Sequence, residues 1–275
     1  MEHLSSYLFD LKDENIVAEI QQAIDNNDVI ATIDADKKVI KSDRIYICDR
    51  KGDTVVWLSD TKRISSPNIY LIPNKEWKFV TSKVIIAPDK PIDGSLINLE
   101  GSPKIKRVSL MTNANSTALD CLKDCTIETF NVELGRVKPG FETLLNKLKI
   151  NRIEYEANAA YSGIFFDPKA TLNCKELAIN GCKYMVSSWS NSKKSDRVTK
   201  DNCPCIPELT LLLSNNPQLN VIINWQSNGT YAQAKIEDGK LVFNQLHTDK
   251  INMAFKKCEW RTILIYQQPK LICRV

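Results

Sequence analysis

Apolar residues fall in short runs along most of this chain, and the period of those runs changes from one segment to the next. Asp13–Asp28 carries Ile16, Val17, Ile20, Ala23 and Ile24 at helical spacing. Acids in its first turn and Asn26, Asn27 and Asp28 at its end supply start and stop signals, so the stretch predicts an amphipathic helix. Val29–Ile33 reads as a strand, Asp34–Lys37 as a turn and Val39–Cys48 as one longer strand. Asp49–Asp53 is a second turn signal and Thr54–Leu58 another strand. The opening is expected to be a helix followed by an antiparallel meander.

From Ile69 onward the runs shorten to between three and five residues and recur at irregular intervals. They include Ile69–Ile72, Val84–Ile86, Leu96–Leu99, Val108–Leu110 and Thr126–Phe130, then Lys149–Ile153, Gly163–Phe166, Leu177–Ile179 and Tyr184–Val186. Small polar turns separate them, with helical interruptions expected at Phe141–Leu148 and Ser116–Lys123. Such lines resemble the rungs of a right-handed parallel β-helix, in which short strands and tight turns stack to bury a continuous core. An α+β domain with many short strands shows the same pattern, and both architectures stay open.

Ser187–Pro207 is dominated by Ser, Asn, Lys, Asp and Pro and reads as a loop. Beyond it, Val221–Trp225, Tyr231–Ile236 and Leu241–Leu246 are separated by Ser227-Asn228-Gly229 and Glu237-Asp238-Gly239. Asn-Gly and Asp-Gly tolerate the positive φ of tight hairpins, so these strands predict an antiparallel meander. Lys250–Lys257 is a short amphipathic piece, and Thr262–Tyr266 and Leu271–Cys273 are two closing strands. The fold class expected is mainly β with short helices. The parts are residues 1–65 (helix and meander), 66–190 (β-rich middle), 191–207 (basic loop) and 208–275 (C-terminal meander).

Composition changes this picture little. The 275 residues are long enough for one large or two modest cores, 43% of them are hydrophobic, and the net charge is only +4, well short of a dedicated nucleic-acid binder. No basic-then-apolar leader opens the chain and no apolar run is long enough for a membrane span. The nine cysteines lack the dense spacing of a secreted disulfide framework. A cytoplasmic protein with reduced thiols is expected, and a viral product made in a host cytoplasm fits the same composition.

Candidate chemistry is sparse. Asp36 followed by Asp49-Arg50-Lys51 has the order of a metal-dependent nuclease site, but a continuous Val39–Cys48 strand would hold the acids about 33 Å apart at ~3.3 Å per residue. Cys121 and Cys125 could meet Cys203 and Cys205 on a zinc ion, although neither pair has the usual spacing and buried core thiols explain them as well. Only His3 and His247 are available as imidazoles, which excludes most two-histidine mechanisms. No glycine-rich phosphate loop is present, so no nucleotide cofactor is expected, nor any other. Glu154 and Glu156 share a strand face near Tyr155 and Tyr161, as acids do along sugar-binding faces. The loop cations Lys193, Lys194, Arg197 and Lys200, beside Trp189, form the candidate anion- or nucleic-acid-binding site.

These observations favour a non-catalytic interaction or structural protein that recognises a macromolecular partner. A protein partner comes first, with nucleic acid through the 189–200 loop as an alternative. The rival class is a hydrolase or lyase acting on nucleic acid or glycan through carboxylate, lysine or tyrosine acid–base chemistry.

Overall fold

The structure, a computed structural model, describes residues 6–58, 67–111, 115, 117–134, 141–157, 169–180, 212, 214–225, 230–237, 240–245, 264–267 and 270–273. The chain divides into two compact units. The first comprises Met1–Phe130 with Lys147–Ile150, and the second comprises Asn131–Asn146 with Asn151–Val275. Both are built mainly from β-strands. No helix among the described residues is long and apolar enough to cross a membrane.

In the first unit, strand β1 (Tyr7–Asp10) precedes a 3-10 turn at Glu14–Ile16 and helix α1 (Val17–Asn26). The predicted helix is therefore present. Asp13 caps its entry by accepting from the Asn15 N–H at 3.0 Å, and Ile20, Ala23 and Ile24 form its buried face. It ends where Asp28 turns to a φ of 51°. Strands β2 (Ala31–Asp34), β3 (Val39–Ser42), β4 (Arg44–Arg50), β5 (Asp53–Leu58), β6 (Ile69–Ile72), β7 (Lys78–Val80), β8 (Lys83–Ile86) and β9 (Lys104–Leu110) follow.

Two sheets result. The larger has the order β1-β6-β5-β4-β8-β9 and the smaller β2-β3-β7. β4–β5 and β5–β6 are antiparallel hairpin neighbours, whereas β4–β8 and β8–β9 run parallel. The expected antiparallel meander is thus only partly present. Val39–Cys48, read as one strand, is two. It breaks at Asp43, so that β3 belongs to the small sheet and β4 to the large one. Leu96–Leu99, read as a strand, is a 3-10 turn at Gly94–Leu96 plus a single parallel bridge between Asn98 and Lys78.

The corner at Asp43 recurs along the chain. β7 leads through Thr81 and Ser82 into β8, as β3 leads through Asp43 into β4. The Asp43 carbonyl accepts from the N–H groups of both Ser82 (3.3 Å) and Lys83 (3.1 Å). The Ser82 carbonyl in turn accepts from both Lys106 (2.9 Å) and Arg107 (3.3 Å). Two donors on one acceptor are the signature of a bulge, which bends the strand and re-aims its side chains. Thr81 adds hydroxyl bonds to the Asp43 and Lys83 carbonyls, at 3.1 and 3.0 Å.

Between the sheets lies an apolar core that includes Ile40, Phe79, Ile45, Ile47, Val56, Ile69, Val84, Ile86 and Val108, all nearly inaccessible. Gly94 packs so closely that an added Cβ would sit 2.5 Å from the Ala118 carbonyl oxygen and 2.8 Å from that of Thr117. Backbone oxygens cannot swing aside. Gly94→Ala is therefore expected to cost about 1–3 kcal/mol, as overpacking does. Urea unfolding of that variant checks this, and an unchanged midpoint would refute it.

The remaining elements are a 3-10 turn at Asp120–Leu122, β10 (Thr126–Leu134), α2 (Glu142–Leu145), β11 (Lys149–Ala157) and β12 (Glu176–Asn180). After these come β13 (Asn220–Trp225), β14 (Thr230–Glu237), β15 (Lys240–Gln245), β16 (Leu264–Gln267) and β17 (Lys270–Cys273). β11–β12 and β12–β13 pair in parallel, and β13 through β17 form the expected antiparallel meander. In the second unit Asn216 is fully buried and ties its own segment to the one at Ala170–Leu172. Its Oδ1 accepts from the Leu172 N–H, and its Nδ2 donates to the Ala170 and Leu212 carbonyls, each at 2.7 Å.

Candidate functional site

The outer face of the first unit's large sheet carries the most concentrated chemistry among the described residues. Strand alternation sends Ile45, Ile47, Val84, Ile86 and Val108 inward, so their neighbours must face out. Register aligns those neighbours into rows. One row runs Leu8, Tyr70, Trp57, Tyr46, Ile85 and Ser109 across six strands. Its ring centroids lie 4.5 Å apart for Tyr46–Trp57 and 5.8 Å for Trp57–Tyr70. Arg50 sits 4.0 Å over the Tyr70 ring as a cation–π contact. The Trp57 indole Nε1–H is enclosed without an acceptor.

The adjacent row, at the bulged corner, is cationic. Arg44 lies opposite Lys83, and Lys83 opposite Arg107. Lys106 is exposed beside them. Asp43 lies within this group and accepts from Lys83 Nζ at 2.7 Å and Ser82 Oγ at 2.6 Å. The ammonium and the hydroxyl hold the Asp43 carboxyl below the usual range.

Around the same corner, on the small sheet's side, lies an open groove of about 870 Å³. Ile30, Val80 and Pro103 line it with Asp25 and Asp28 from the end of α1 and with Lys104. Its mixture of acids and bases picks out no single ligand charge.

Burial and hydrogen bonding shift several titratable groups. The buried thiols rise, with Cys48 pushed up to about 11 by burial, Cys121 to about 12 and Cys174 to about 11. Cys125 rises for the same reason. Tyr155 is held well above the ordinary phenol value by burial and by the Glu142 carboxylate, to which its hydroxyl donates at 3.4 Å. Asp34 and Glu76 are lowered by hydrogen bonds from Lys37 and Lys38.

Two outcomes follow from the thiols. Buried Cys121, Cys125 and Cys174 are expected to react with a disulfide reagent only as fast as the chain unfolds, and prompt labelling of the folded protein would contradict their placement. The stability contributed by their neutral forms is fully present below the ordinary thiol value of about 9 and is lost as pH climbs through 11 to 12, because the unfolded chain ionises first. Urea midpoints measured across that range should fall, and a level profile would refute the assignment.

The sequence-derived candidates are distributed as follows. Lys193, Lys194, Arg197, Lys200 and Trp189 lie outside the described residues, as do His3, His247, Cys203 and Cys205. Cys121 and Cys125 are enclosed, their thiols directed at the Ala118 and Cys121 carbonyls at 3.8 and 3.9 Å. No group of three metal-ligating side chains occurs among the described residues. Asp49 is engaged structurally, accepting from the Asp89 and Lys90 N–H groups at 2.7 and 2.9 Å. Glu154 is paired with Arg152 at 3.0 Å. No protein-family model matches the chain, and no curated protein or solved structure matches it either.

Proposed function

We propose that this protein is a non-catalytic recognition module, a short β-helix-like scaffold that presents the outer face of its first unit to a macromolecular partner. The scaffold reading rests on two chain segments, β3–β4 and β7–β8, that each cross from the small sheet to the large one, through corners stacked carbonyl to amide. The recognition reading rests chiefly on the aligned row Tyr70, Trp57 and Tyr46, flanked by Leu8 at 38% exposure. Aromatic side chains at a surface bring large contact area with little conformational entropy to lose, and they dominate interface energetics. An enclosed indole N–H without an acceptor is costly to keep and supports a role beyond folding.

The test is retention of labelled polymers and proteins on the immobilised full chain, with the length of each retained polymer measured afterward. Retention at full length that Trp57→Ala weakens supports the proposal. Shortened polymer would instead establish a hydrolase or lyase.

A further inference from the structure

Strand β1 forms one edge of the first unit's large sheet, and its pairing with β6 fixes which groups that edge presents. Tyr7 N–H donates to the Asn68 carbonyl at 2.9 Å and Leu11 N–H to that of Ile72 at 3.1 Å, with Phe9 opposite Leu71 between them. In a parallel ladder alternate residues turn both backbone groups to the same side. The odd-numbered residues of β1 therefore face β6, and the N–H and C=O of Leu8 face away. No strand among the described residues pairs with that side. Proteins often blunt such an edge with lysine, proline or a bulge, and Tyr7-Leu8-Phe9-Asp10 carries none of these. Tyr7 and Leu8 are instead exposed, at 38% each.

We propose that this edge pairs with β1 of a second copy of the chain, antiparallel and about a two-fold axis, with Leu8 opposite Leu8. The inference stands apart from the recognition reading above and does not need it. Backbone groups alone would accept any extended peptide, and the side chains select a second copy. Outward groups on even-numbered residues allow a two-fold axis at Tyr7, Leu8 or Phe9. An axis at Phe9 sets Leu8 against Asp10, and one at Tyr7 sets it against Ser6. At Leu8 every pair matches. Leu8 meets Leu8 in a pair that exchanges both hydrogen bonds, Tyr7 meets its partner's Phe9, and the Ser6 hydroxyl meets its partner's Asp10 carboxylate. The Tyr7 and Phe9 rings already lie parallel with centroids 5.8 Å apart, so two copies bring four rings together on one face. On the other face Leu8 ends the row of Tyr46, Trp57 and Tyr70, and the axis joins that row to its copy. The surface is isologous, the commonest arrangement in homodimers. One short strand pair buries less than a permanent dimer needs, so the association is reversible and depends on concentration.

The test is sedimentation velocity on the full-length protein over a wide range of concentration, with three variants at Leu8. Leu8→Pro removes both central donors but none of the bonds to β6, which run through Tyr7, Phe9 and Leu11. Proline is tolerated where the replaced N–H faces away from the sheet. Leu8→Lys and Leu8→Glu each set like charges directly opposite one another across the axis. The expected result is a parent that dimerises as concentration rises and three variants whose association is weaker by roughly tenfold or more. An equal mixture of Leu8→Lys and Leu8→Glu should dimerise again, because unlike charges then face each other. Dilute variants should melt where the dilute parent does, which separates lost pairing from lost folding. A parent that stays monomeric at every concentration would overturn the inference, as would a dimer that persists in Leu8→Pro. Charge variants that remain monomeric when mixed would overturn it too, since Leu8 would then not lie opposite itself.

Discussion

Replacing Asn216 with alanine is expected to lower stability by about 3–5 kcal/mol, because each buried backbone group left without a partner costs about 1–3 kcal/mol. Three groups are involved. The Leu172 N–H loses its acceptor, and the Ala170 and Leu212 carbonyls lose a shared donor. Asn216 is fully inaccessible, so water cannot replace it without opening the structure. Asn216→Asp should be no milder, since it turns a carboxylate oxygen toward two carbonyls and buries a charge. Urea unfolding followed by circular dichroism measures both variants. A loss below about 1 kcal/mol for the alanine variant would mean that the two segments are held by other contacts.

The second large effect concerns Phe79, whose ring is fully enclosed on a strand of only three residues. Its backbone is fixed from both sides. The N–H donates to Asn98 O at 2.8 Å and the carbonyl accepts from Ser102 Oγ at 3.2 Å. The strand therefore cannot slide to fill the space, and Phe79→Ala should cost about 3–5 kcal/mol. Phe79→Leu keeps most of the volume and should cost less than about 1.5 kcal/mol if the pocket can repack. Equal losses for the two variants would show that ring shape rather than volume is what the core requires.

Part of this architecture could be read from the residues alone. Helix α1, strand β5, strand β6 and the C-terminal meander carry strong local signals, namely an amphipathic period, alternation and Asn-Gly or Asp-Gly turns. The corner at Asp43 also left a trace. Ile40 and Ser42 face inward at even positions while Ile45 and Ile47 face inward at odd ones, and a single strand cannot bury both parities on one face. A break between them is required, and Lys41-Ser42-Asp43 supplies its polar residues. Asp93-Gly94-Ser95 likewise announced a turn, for the Asp93 carboxylate accepts from the Ser95 N–H at 2.9 Å.

What local pattern could not supply was pairing. β7 is too short to show a period, and its parallel neighbour β3 lies far back in the chain. Arg44, Lys83 and Arg107 are unremarkable surface cations until parallel register brings them into one column. Tyr46, Trp57 and Tyr70 become a row only through two hairpin registers. The sequence did show one concentration of cations, Lys193, Lys194, Arg197 and Lys200, because those residues are close in the chain itself.

That contrast defines the most direct measurement of the central claim. The full-length protein, its Trp57→Ala variant and a loop variant carrying Lys193→Ala, Lys194→Ala and Arg197→Ala would each be immobilised and offered the same labelled polymers and proteins. The account predicts that the partner retained by the parent is lost from Trp57→Ala and kept by the loop variant. Retention that survives Trp57→Ala and disappears from the loop variant would contradict it and place recognition in the basic loop.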